Sequence, residues 1–161
     1  MTRGEPLGGF AADHNRVQLG AGEQVWKHSV EAINQWRMFE MDWIRIMPRN
    51  APVEVGTTVA VEVRHLGFWS LNAARIVYEV NQDGPVTRYG FAYGTLLDHA
   101  ESGEERFTVE WNSTDDSVWY DLLAFSRPNA LLAKLGKLLA RRLQKRFAAC
   151  SLRAMQMATR S

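Results

Sequence analysis

One cysteine is all that the 161 residues contain. Cys150 has no partner, so an internal disulfide is excluded and a reducing compartment fits. Set among apolar neighbours, it reads as a buried small hydrophobe rather than a reactive thiol. No apolar run approaches the about 18 residues that a membrane span needs. The start, MTRGEPLGGFAADHN, lacks the apolar centre of a secretory leader, which makes a cytoplasmic location the expectation. There is no nucleophile elbow, P-loop, dinucleotide fingerprint or paired Cys/His spacing. These absences argue against the commonest enzyme classes and leave cofactor-free chemistry open, and no metal and no cofactor is expected. The formal charge of +1 names no partner. No repeat, low-complexity tract or linker divides the chain, so residues 1–161 read as a single domain.

What is present begins with Tyr89 to Trp111, YGFAYGTLLDHAESGEERFTVEW. Two alternating runs flank a polar loop, the pattern of a β-hairpin. Tyr89, Phe91, Tyr93 and Thr95 share one face of the first arm; Glu105, Phe107, Val109 and Trp111 share one face of the second. Closing the arms sets Tyr89 against Trp111, Phe91 against Val109, Tyr93 against Phe107 and Thr95 against Glu105. Opposed residues in an antiparallel pair point the same way, so the large apolar faces coincide. Glu105 then stands on the inward, aromatic face, where a bare carboxylate is costly.

Around the hairpin, residues 1–13 read as a loose lead-in and Arg16–Leu19 as a short strand. Glu23–Trp36 reads as a helix on the spacing of Val25, Trp26, Val30, Ile33 and Trp36. Further strands follow at Trp43–Met47, Thr57–Leu66 and Ala73–Val80, with Ala74, Ile76, Tyr78 and Val80 facing inward. Ser117–Phe125 is the seventh strand. The last element is a helix over 127–158, with Pro128 in its first turn. Its apolar stripe runs from Leu131 through Leu138, Leu143 and Phe147 to Cys150 and Ala154. The opposite surface carries Lys134, Lys137, Arg141, Arg142, Lys145, Arg146 and Arg153 and no acid. That row reads as a solvated face, balanced by the acidic loop Asp98–Glu105, and no recognition motif accompanies it to suggest nucleic acid.

A meander of six strands followed by a long amphipathic helix buries both apolar faces by wrapping the sheet round the helix. The expected fold is α+β: a curved seven-stranded antiparallel sheet (strand, helix, then six strands over 14–126) around the C-terminal helix. This order resembles the helix-grip arrangement of the START and birch-pollen-allergen superfamily. Three stretches sharpen the likeness: Arg64-His65-Leu66-Gly67-Phe68-Trp69-Ser70; Phe91-Ala92-Tyr93-Gly94-Thr95-Leu96 with His99-Ala100-Glu101-Ser102-Gly103-Glu104-Glu105-Arg106-Phe107; and Ala124-Phe125-Ser126-Arg127-Pro128. They are similar to the signatures of a bacterial and plant domain-of-unknown-function family. The resemblance implies the fold and leaves the activity open.

The inward face supplies the candidate binding residues: His65, Trp69, Tyr78, Phe91, Tyr93, Thr95, Glu105 and Phe107. An apolar wall with a few polar groups is the usual make-up of a small-molecule site, so a small apolar or amphipathic ligand is the expected partner. The same polar groups also suit a closed structural network. His99, Glu101 and Glu105 are the candidates for acid–base chemistry. With Glu104 they occupy positions i, i+2, i+5 and i+6, which match no standard metal spacing. The alternative to simple binding is a cofactor-free cyclase, isomerase or hydrolase using the same cavity.

Overall fold

The computed structural model describes residues 11–96, 101–128 and 130–160, with side chains described except at 11, 101–102 and 126–137. In chain order the elements are β1 (Ala11–Ala21), α1 (Glu23–Asn34), a 3-10 turn (Arg37–Phe39), β2 (Ile44–Met47), β3 (Thr58–His65), β4 (Phe68–Gln82), β5 (Val86–Thr95), β6 (Glu101–Asn112), β7 (Ser117–Pro128) and α2 (Ala130–Ala158). The strands make one antiparallel sheet in the order β1-β7-β6-β5-β4-β3-β2. From β2 to β7 each strand lies beside the next in sequence, and β1 closes on β7. The sheet curls around α2, the helix-grip arrangement expected from the order of elements.

The strands run further than their local patterns suggest. β1 begins at Ala11 because Ala11–Asn15 pair with Leu122–Ser126, so part of the expected lead-in is an edge strand. Its small and polar residues gain strand character from that pairing rather than from propensity. β7 continues through Pro128, which was expected inside the helix; it lies opposite Glu101.

The hairpin of β5 and β6 has the expected faces and a different register. Tyr89 pairs with Val109, Phe91 with Phe107 and Tyr93 with Glu105. The slip is two residues because β6 starts at Glu101 and takes in Ser102 and Gly103, which were expected in the loop. A two-residue slip leaves every side chain on its original face.

The centre is aromatic. Phe39, carried by the 3-10 turn, meets Tyr93 on β5 at 6.2 Å between ring centroids, Phe107 on β6 at 5.3 Å and Phe147 on α2 at 5.2 Å. Trp36 packs on Phe91 at 4.8 Å, and its indole N–H donates to the Ala51 carbonyl at 2.8 Å. On α2 the buried row is Phe147, Ser151, Met155 and Thr159, at successive fourth positions. Leu138, expected on the apolar stripe, is exposed, and Cys150 is only half-buried.

The convex face of β6 and β7 buries two carboxylates, Glu110 and Asp121. Arg16 and Arg88 bridge Glu110 at 2.8 and 2.9 Å, and His14 bonds Asp121. Arg106 stands 3.8 Å from Asp121, and Arg16 lies over the Trp119 ring at 4.9 Å. Arginine stems thus roof this part of the sheet while their heads neutralise the acids beneath.

The β3–β4 turn consists of Leu66 and Gly67, both with positive φ, at 50° and 79°. Such two-residue turns favour Asn-Gly, and a leucine held there costs about 1 kcal/mol or more. Leu66→Asn is expected to raise stability by about 1 kcal/mol, read as a rise in the midpoint of a denaturant titration. An unchanged or lower midpoint would show that the Leu66 side chain contributes stabilising contacts.

Candidate functional site

A cavity of about 330 Å³ lies between the concave face of the sheet and α2. Strand alternation builds its wall. Val61, Val63 and His65 project inward from β3, opposite Asn72, Ser70 and Phe68 of β4, so the wall becomes more polar towards the β3–β4 turn. Tyr93 and Thr95 come from β5, Gly103 and Glu105 from β6, and Ala124 from β7. α2 closes the opposite side with Ala140, Leu143, Gln144 and Phe147, and Phe39 with Trp43 completes the base. The strand ends beside this space are the C-terminal ends of β3, β5 and β7 and the N-terminal ends of β4 and β6. We call this the open end of the grip.

The strongest polar feature is the directly opposed pair Tyr93 and Glu105. The Tyr93 hydroxyl donates to Glu105 Oε2 at 3.0 Å. Burial, and then the adjacent Glu105 carboxylate, push the Tyr93 phenol well above the ordinary tyrosine range. Tyr93 therefore stays a protonated donor at neutral pH. Thr95 Oγ1 accepts from the Gly103 N–H at 3.0 Å, holding the end of the hairpin. Two polar atoms in the wall, Trp43 Nε1 and His65 Nδ1, are buried without a hydrogen-bond partner among the described residues. An unmatched buried donor costs about 1–3 kcal/mol. The Arg146 guanidinium lies 4.5 Å over the Trp43 ring.

Of the eight expected binding residues, the structure brings His65, Tyr93, Thr95 and Glu105 to the cavity. Phe91 and Phe107 face inward but lie fully buried in the aromatic layer beneath it. Trp69 and Tyr78 are corrections. Trp69 pairs with Arg64 on the convex face, where Arg45 lies 4.6 Å over its ring. Tyr78 follows a bulge between Ile76 and Tyr78 that turns the rest of β4 over. It pairs with Ala92 and donates to Glu104 Oε1 at 2.7 Å on the convex side. Val80, also expected inward, turns over with it. Of the acid–base candidates, His99 lies outside the described residues. Glu101 opens β6 with its side chain likewise outside them, and Glu105 stands in the wall.

Sequence reasoning missed Ser70, Asn72, Trp43 and Gln144. Extending β4 back to Phe68 puts Ser70, Asn72, Ala74 and Ile76 on one face, a signal lost by starting that strand at Ala73. Gln144 was legible as one uncharged polar residue among Ala140, Leu143 and Phe147 at helical spacing.

The family model for a domain of unknown function, DUF1990, matches residues 1–154. The chain belongs to the DUF1990 family. A UPF0548 protein of Dictyostelium discoideum is 38% identical over 160 residues, covering 94% of this chain and 74% of that protein. Another from Deinococcus radiodurans is 35% identical over 145 residues, covering 83% and 71%. Among solved structures, this DUF1990 chain superposes on the ZhuI aromatase/cyclase from Streptomyces sp. R1128 with a TM-score of 0.59, 13% identity and 94% of each chain covered. The allergen Ara h 8.0201 gives 0.56 at 11% identity, covering 94% of this chain and 98% of its own. At such identities these two structures establish the birch-pollen-allergen-like fold alone.

The Tyr93–Glu105 pair makes an alkaline prediction. A phenol whose folded value exceeds its unfolded value of about 10 adds stability below pH 10 that is lost as pH rises further. Tyr93→Phe should lose about 1 kcal/mol at pH 7 through the missing bond to Glu105. That deficit should shrink above about pH 10, where only the wild type must give up a buried proton. Parallel stability curves for the two proteins, measured by denaturant titration from neutral to alkaline pH, would overturn this reading.

Proposed function

We propose that the protein binds a small, largely apolar ligand with a polar end in the cavity between sheet and α2. The observation that carries this is the cavity itself: about 330 Å³ bounded by aromatic and aliphatic side chains with a few polar groups converging on it. That is the usual composition and size range of a small-molecule site. The apolar part of the ligand would lie against Phe39, Phe147 and Val61. Its polar part would meet Glu105, as a donor to the carboxylate, beside Asn72 and Ser70. Among the described residues no helix is long and apolar enough to cross a membrane, and the lone Cys150 supports a reducing, cytoplasmic setting.

A fluorescent hydrophobic probe tests binding. Ala140→Trp puts an indole into the mouth of the cavity and should weaken probe uptake by about tenfold or more without lowering the melting temperature. Unchanged uptake would place the probe elsewhere and reject the cavity as the site. Native mass spectrometry of the purified protein should show a retained small molecule lost in the same variant.

Glu105→Gln addresses the polar end. Glutamine still offers an oxygen to the Tyr93 hydroxyl, so stability should stay within about 1 kcal/mol of wild type. Affinity for a probe carrying an amine or hydroxyl should fall by about tenfold, the loss of one charge-assisted hydrogen bond. A loss of stability of about 2 kcal/mol or more with affinity intact would make Glu105 part of a closed structural network instead.

The second reading is a cofactor-free cyclase, isomerase or hydrolase. Its support is the same pair: a carboxylate and a phenol kept protonated, 3.0 Å apart in the wall of one cavity, are an acid and a base in hydrogen-bond reach. That the similarly folded ZhuI is an aromatase/cyclase supports this reading. A gene neighbourhood of biosynthetic enzymes would favour catalysis; an isolated gene would favour binding.

A further inference from the structure

The open end of the grip has a surface that ligand binding inside the cavity does not explain. Leu66 and Phe68, at the β3–β4 turn, are 78% and 72% exposed, and Leu71 on the same hairpin is also exposed. Leu66 occupies the left-handed turn position that asparagine would fill without strain. A strained, exposed leucine at a loop tip is an outlier that calls for a functional reason. Across the cavity mouth, α2 presents Leu138, 80% exposed, on one helical face with Arg141, Arg142 and Lys145 at i+3, i+4 and i+7. Arg142 and Lys145 are exposed, and α2 as a whole carries seven Lys or Arg residues and no acid.

We propose that this end docks on an anionic lipid surface, with Leu66 and Phe68 entering the headgroup layer and the cationic face of α2 lying against it. Apolar side chains at a tip, flanked by Lys and Arg, are the composition of an interfacial anchor. Basic groups near a membrane draw it to anionic lipid by about fivefold each. Among the described residues, three carboxylates near this end have partners, one of them a cation. Arg141 bridges Asp13 at 2.8 Å, Tyr78 binds Glu104 and Tyr93 binds Glu105. Arg45 lies over Trp69, and Arg64 is exposed beside it. At the far end of the sheet the β4–β5 and β6–β7 turns carry Asp83, Asp115 and Asp116, while the β2–β3 connection exposes Val55. The docked orientation would set the cavity mouth at the bilayer surface, so that an apolar ligand could pass without crossing water.

The test is co-sedimentation of the full chain with vesicles of phosphatidylcholine alone and of phosphatidylcholine with phosphatidylserine. Binding is expected to the phosphatidylserine vesicles and to weaken with added salt. The double variant Leu66→Asn/Phe68→Ser should reduce the bound fraction about fivefold or more without lowering the melting temperature or the probe affinity of the cavity. Arg142→Glu/Lys145→Glu should do the same without touching the hairpin. Equal sedimentation of wild type and both double variants, or no binding to any vesicle, would overturn the proposal. Because probe affinity is read separately, a failure of docking remains distinct from a failure of the cavity reading.

Discussion

Phe39 is the wedge on which the shape of the interior depends. The 3-10 turn at Arg37–Phe39 delivers its ring between β5, β6 and α2, where it touches Tyr93, Phe107 and Phe147 at once. Rings at these separations fill space densely and resist rotation, so they form a floor. Below it, Trp36 and Phe91 make a solid core. Above it, the facing residues shrink to Ala74, Ala124 and Ala140, and the space they leave is the cavity. The division of one interior into packed and open halves thus follows from which strand positions carry aromatic rings and which carry methyl groups.

Polar groups are handled differently on the two faces of the sheet. On the convex side, buried Glu110 and Asp121 are matched by Arg16, Arg88 and His14. Acid and base there pair by charge, although Arg106 Nε and Asp121 Oδ1 lack a hydrogen bond among the described residues. On the concave side, Glu105 accepts from the Tyr93 phenol, and Trp43 Nε1 and His65 Nδ1 lack hydrogen-bond partners among the described residues.

Legibility in the sequence followed the symmetry of the signal. Alternation identifies faces, so Phe91, Tyr93, Glu105 and Phe107 were placed inward correctly even though their pairing is shifted by two. The same alternation cannot detect a two-residue slip, because both registers satisfy it. It fails at a bulge, where one extra residue inverts everything beyond; Tyr78 and Val80 were lost that way. It also cannot say how deep a residue lies. Phe91 and Tyr93 are two positions apart on one face, yet one is in the core beneath the floor and the other is in the cavity wall. Depth depends on Phe39 and Phe147, which come from other elements. Trp69 shows the reverse hazard: an aromatic residue in the β3–β4 hairpin invites an inward assignment, whereas Arg45 gives it a satisfactory partner outside.

The exposed turn at Leu66-Gly67 and the cavity are linked by the geometry of β3 and β4. His65 and Ser70 line the mouth, while Leu66 and Phe68, one and two positions away, project past it. The floor beneath them is held by the mutual packing of Phe39, Phe107 and Phe147. A ligand would enter with its apolar part leading towards Phe39 and leave its polar part among His65, Glu105 and Gln144. That polarity of entry is fixed by the wall itself, which grades from Val59 and Ala74 through Val61 and Asn72 to His65 at the rim.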